Sequence, residues 1–154
     1  MSENNDIIKE LNSFLKGINM GSDAFETYEE KTNNPDLKHQ FKKIISTFAS
    51  QKKIVISYIE KLGGEPHDSL GIVGEVASTF EKVKDIFMDK DDEILKAAIK
   101  AMDMGVKGGS KAVTNLEATN VNHSVISTLK DMLKEYDTIS NNLNMFYKKI
   151  SMNQ

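Results

Sequence analysis

The chain has 154 residues, 39% of them hydrophobic and 28% charged, with a formal net charge of −3. That composition predicts a single globular domain over 1–154 with its own core, and no apolar run approaches the roughly 20 residues that a membrane-spanning helix needs. Cysteine is absent and all 20 basic residues are lysine, which excludes disulfides, thiolate metal sites and thiol nucleophiles and argues against a nucleic-acid binder, because arginine is the preferred fork for phosphates and guanine edges.

The first residues, Met1-Ser-Glu-Asn-Asn-Asp6, are polar and acidic where an export signal would be basic and then apolar, so a cytoplasmic protein is expected. Apolar or small residues then recur at Ile7, Leu11, Phe14, Ile18, Gly21, Phe25 and Tyr28, alternating steps of four and three. This spacing predicts a long helix over 4–32 with one packing seam. Asn33-Asn34-Pro35 stops it and starts the next, since proline suits a first helical turn and asparagine caps the free amides before it. A second helix over 35–63 carries Leu37, Phe41, Ile44, Phe48, Gln51, Val55, Tyr58 and Leu62, and closes at Gly63-Gly64, where glycine can adopt the left-handed conformation.

After a loop through Glu65-Pro66-His67, Asp68 or Ser69 can cap a shorter third helix over 69–88 with Val73, Val76, Phe80, Val83 and Phe87 on one side. Asp91 and Asp92 then place carboxylates at the positive end of a fourth helix over 92–117. Its inner line of Leu95, Ala98, Met102, Gly105, Gly109, Ala112 and Leu116 has enough small residues for another helix to approach closely. The fifth helix, 122–151, carries Val125, Leu129, Met132, Tyr136, Ile139, Leu143, Phe146 and Ile150 without a break. No segment shows strand alternation, so the fold class is all-α. Short links inside each outer pair, and roughly 28 residues between the pairs, suggest a ferritin-like four-helix bundle whose third helix is an additional crossover between the helix pairs. An up-down-up-down bundle with an appended fifth helix is the competing topology.

Five short stretches, Leu11-Asn-Ser-Phe-Leu-Lys-Gly17, Asn34-Pro-Asp-Leu-Lys38, Leu62-Gly-Gly-Glu-Pro66, Ser69-Leu-Gly71 and Asp91-Asp-Glu-Ile-Leu95, occur in an order and spacing that resemble a bacterial ferritin-like family of small helical bundles, catalogued as a domain of unknown function. The resemblance spans about residues 4–115 and implies a ferritin-like bundle. Metal-binding members of the wider class hold two ions with a Glu on each of two helices and a Glu-x-x-His on each of the others. This sequence departs from that pattern. Gln51 takes the inner line of the second helix with Ile54 three residues on, Tyr136 takes that of the fifth with Ile139 after it, and no Glu-x-x-His occurs. A neutral amide and a phenol do not supply the negative charge that two clustered cations require.

The remaining candidates are weighed by their chemistry. His39 falls about 200° from Leu37 at 100° per residue and should face solvent; His67 and His123 read as loop and helix-start residues. Gly105-Val-Lys-Gly-Gly-Ser-Lys111 lacks both the Gly-Lys-Ser/Thr ending and the preceding strand of a phosphate loop, so close helix packing is its expected role. Tyr28, Gln51, Tyr58 and Tyr136 are polar groups on apolar seams and must find partners if buried. No catalytic residue and no cofactor emerge. The first reading is therefore a non-enzymatic bundle acting by association with itself, as a homo-oligomer, or with a protein partner. Val76, Phe80, Val83 and Phe87 are its interface candidates, because a crossover helix lies on the outside. A second reading is a di-iron or manganese redox or storage protein with the atypical ligands Glu26, Glu29, Asp103 and Glu135. A third is an apolar-ligand carrier using the space left by small residues on the fourth helix.

Overall fold

Among the described residues four helices form along the predicted seams: α1 Ser2–Lys31, α2 Pro35–Lys61, α3 Asp91–Glu117 and α4 His123–Met152. The computed structural model describes residues 2–67 and 90–152, and no strand occurs among them. The expected helix over 69–88, with Val76, Phe80, Val83 and Phe87, lies outside the described residues. No helix among the described residues is long and apolar enough to cross a membrane.

The helix ends follow from local chemistry. Asn34 Oδ1 accepts hydrogen bonds from the Asp36 and Leu37 amides at 3.0 and 3.1 Å, with Pro35 in the first turn. Asn34→Ala should therefore destabilise the protein by about 1 kcal/mol, a drop of about 2–4 °C in melting temperature for a chain of this size. At the other end of α2, Gly63 sits at φ 78°. The Gly63 amide bonds back to the Glu60 carbonyl and the Gly64 amide to that of Ile59, so the last carbonyls are satisfied by a Schellman turn. Asp91, Asp92 and Glu93 fill the first turn of α3, whose N-cap Lys90 provides no side-chain bond.

Neighbouring helices run antiparallel around a ring in the order α2, α1, α3, α4. Gly64, after α2, lies against Ile8 near the start of α1, while Phe25 in α1 meets Phe41 in α2. Thr32 Oγ1, just after α1, donates to Asp91 Oδ1 at the start of α3 (2.6 Å), and at the far end Glu10 and Glu3 accept from Asn115 and the Asn120 amide. Between α3 and α4, Lys130 pairs with Glu117, and Lys96 sits 5.7 Å above the Tyr147 ring. The ring closes where α4 meets α2 over a short stretch around Gln51. It follows that α2 and α3 run in the same direction and that His67 and Lys90 lie at opposite ends of the bundle.

An aromatic cluster forms the interior where α1 and α2 face each other. Phe25 packs edge-on against Tyr28 (5.2 Å, 79°) and Phe41 (5.6 Å, 71°), and Phe48 links this group to Tyr136 at 5.7 Å, separations at which edge-to-face pairs add to simple burial. Asn12 is buried on α1 and fastens the chain after α2. Its Nδ2 donates to the Glu65 carbonyl and its Oδ1 accepts from the His67 amide.

Candidate functional site

At mid-height of the bundle the side chains form a mostly neutral network. Tyr136 OH donates to Gln51 Oε1 at 2.6 Å, and Gln51 Nε2 donates to Glu135 Oε1 at 3.0 Å. Gln51 and Tyr136 are 3% and 4% exposed, so each bond satisfies a group that water does not reach. Glu135 itself is exposed and reaches in from the surface of α4, while Ile54, three residues after Gln51, points outward. Tyr28 is fully inside, its hydroxyl 3.4 Å from the Ala97 carbonyl, and Tyr58 is half-buried at the edge of the core.

Burial pushes the Tyr28 hydroxyl up to about 12; burial, and secondly the Glu135 charge, raise that of Tyr136 well above the ordinary phenol value. Both are neutral donors at physiological pH. Because the folded values exceed the unfolded one of about 10, their contribution to stability is intact below pH 10 and is lost as pH rises from there towards 12. Urea midpoints measured across that range should fall for the wild type and fall less steeply for the Tyr28→Phe, Tyr136→Phe double variant.

The acids of the metal reading are dispersed. Glu26 and Asp103 are exposed; the Glu29 carboxylate lies 3.8 Å from Lys42 Nζ; Glu135 is engaged by Gln51. Among the described residues no group of three or more His, Cys, Asp and Glu side chains is placed to hold a metal ion. His39, His67 and His123 are all exposed.

The structure adds a feature the sequence reading placed differently. Between α1 and α3 an apolar groove of about 250 Å³ opens to solvent, with Phe14, Ile18, Ala24, Phe25 and Met102 in its walls. Its shape comes from glycine. Gly17 on α1 and Gly105 and Gly108 on α3 line it, and a Cβ built on any of them meets no atom of the described residues within 4 Å. Their partners in spacing behave in the opposite way. A Cβ on Gly21 would stand 2.7 Å from Phe48 Cζ, and one on Gly109 would stand 2.7 Å from Leu133 Cδ2 and 3.2 Å from Phe14 Cε2. Gly105 was expected on the inner line beside Gly109, in close contact with another helix. Among the described residues it borders open space instead, while at Gly109 the Phe14 ring and Leu133 fill the same position.

Met20 and Met104 form the lips, Met104 being 51% exposed. The helical phase was the available signal: Gly108 lies 100° from Gly109 and so cannot share its packing line. Lys16, Met20 and Met104 were passed over because single polar or flexible residues beside a seam carry no periodic signature.

A family model described as a domain of unknown function (DUF2383) matches residues 6–115. The chain belongs to this family. The match takes in nearly all of α1, all of α2 and nearly all of α3, so the groove's lining residues on those helices lie inside the DUF2383 region, whereas Tyr136, which also lines the groove, and Glu135 lie beyond it on α4. No curated protein matches the chain.

Proposed function

We propose that the protein is a non-enzymatic, ferritin-like helical bundle that acts by association, taking an apolar guest into the groove between α1 and α3. The observation that carries this reading is the set of three helical glycines facing empty space. Glycine within a helix costs about 1 kcal/mol relative to alanine, and Gly17, Gly105 and Gly108 return no packing against the described residues for that cost. A groove kept open at the expense of helix stability is suited to something that enters it. The ferritin-like part of the reading draws on the resemblance of the five sequence stretches and on the parallel course of α2 and α3, which a single long crossover between helix pairs would produce. The neutral Gln51–Tyr136 pair at mid-height favours a structural centre over a redox one.

The test is a dye titration. Nile red, an uncharged apolar fluorophore, should bind the wild type at one site. Gly105→Leu, which projects a side chain into the groove from a position where a Cβ meets no described atom within 4 Å, should abolish that binding while circular dichroism and melting temperature show an intact fold. Dye binding that survives this substitution, or none in the wild type, overturns the proposal. A wild-type dimer that loses its association on Phe80→Lys and never binds dye would point instead to self-association through the Val76, Phe80, Val83 and Phe87 face.

A further inference from the structure

We infer that the guest is an anionic amphiphile with a single long acyl chain, lying along the glycine floor with its head held by lysines at the lips. The inference rests on the groove reading above and adds the chemical class of the ligand. Three observations carry it.

The first is shape. A helix with its side chains is about 10 Å across, and a slot of about 250 Å³ admits at most a few of a partner's side chains. An unbranched methylene chain is slim enough to lie on a floor from which the side chains of Gly17, Gly105 and Gly108 are missing. The second is the character of the walls. Met20, Met102 and Met104 line the slot, and flexible thioethers adapt to a chain that has no fixed conformation of its own.

The third is charge. Lys16 is the charged side chain among the described residues that line the groove. On α3, Lys100, Lys107 and Lys111 are exposed, and at 100° per residue they fall within about 60° of Met104, on the same outer edge. These three flank the Met104 lip without lining the groove, as do Asp103, about 100° from Met104, and Asp23 on α1, so the lining itself carries the single charge of Lys16. None of these four lysines forms an ion pair with a described residue. An apolar slot with the Lys16 ammonium in its lining and three more ammonium groups near one lip complements a carboxylate or a similar anion on an acyl tail and disfavours the same tail with a cationic head.

The experiment compares two ligands that share a tail. Laurate and dodecyltrimethylammonium, each below its micellar concentration, are titrated calorimetrically into the full-length wild type, into Gly105→Leu, and into the Lys16→Glu, Lys111→Glu double variant. Laurate should bind one to one and about tenfold more tightly than the cationic analogue, with the preference shrinking in high salt. Gly105→Leu should lose both ligands, and the double glutamate variant should reverse the preference. Equal affinities that both disappear in Gly105→Leu would overturn the anionic class and leave the groove reading standing. The same holds if Nile red binds and laurate does not, or if an acidic helical peptide binds where laurate fails. Laurate binding that persists in Gly105→Leu would overturn both.

Discussion

Gly109→Leu should lower the stability of the protein by about 1–3 kcal/mol, the range for forcing extra methylenes into a packed contact. A single Cβ at this position already comes within 2.7 Å of Leu133 Cδ2 and 3.2 Å of the Phe14 ring, so a leucine must push those two side chains out of their packed positions. Each kcal/mol corresponds to about 2–4 °C for a domain of this length, which a thermal melt followed at the helical circular-dichroism band resolves. Gly105→Ala, one helical turn away, should move the melting temperature in the other direction. Its new methyl meets open space, and removing glycine from a helix interior gains up to about 1 kcal/mol. Equal shifts at the two positions would mean that the groove is not open where it is described.

Gln51→Glu should have a larger effect, and one that depends on pH. The substitution keeps the shape of the side chain but replaces the Nε2 donor, 3.0 Å from Glu135 Oε1, with an oxygen that faces a carboxylate across the same gap. A buried charge without compensation costs about 3 kcal/mol or more. Burial and the neighbouring carboxylate both favour the protonated form of the new residue, so its folded pKa lies above the unfolded value of about 4.3. The folded state of the variant is therefore closest to wild type below pH 4.3, and the deficit widens as pH rises through the folded value towards neutrality. Chemical denaturation at pH 4, 5.5 and 7 measures this directly, and a deficit constant across the series would show that Gln51 is not enclosed as described.

Most of the framework was readable because each helix buries a continuous seam. Ile7, Leu11, Phe14, Ile18, Phe25 and Tyr28 on α1, and Leu37, Phe41, Ile44, Phe48, Gln51 and Val55 on α2, are all buried, and a seam of that regularity leaves one helical phase available. The ends were readable for a different reason. Asn34-Pro35 and Gly63-Gly64 act through their own backbone and need no partner elsewhere in the chain. Helix α1 begins at Ser2 rather than near Asn4, and α2 closes at Lys61 rather than Gly63, differences of the size that fraying ends always show.

The groove was harder to read because a glycine's spacing does not reveal what lies opposite. Gly17-x-x-x-Gly21 and Gly105-x-x-x-Gly109 are the same pattern, and in each pair one member is filled by a ring or a leucine while the other is empty. That outcome depends on where a neighbouring helix bends away, which no local sequence states. The Gln51 to Glu135 bond was hidden for a related reason. Its members are 84 residues apart, and Glu135 reads as an ordinary surface acid until α4 is laid beside α2.

The short meeting of α2 and α4 has a consequence for how the molecule comes apart. Helices α1 and α3 are tied at both ends, by Glu3 and Asn120 at one and by Thr32 and Asp91 at the other, whereas among the described residues α2 and α4 are joined chiefly by the Gln51, Tyr136 and Phe48 side chains at mid-height. The bundle thus resembles a book with α1 and α3 as its spine and a single clasp on the fore-edge. Sub-global opening follows the weakest seam, and among the described residues that seam is the clasp, so the fore-edge is expected to open before the ends of the spine do.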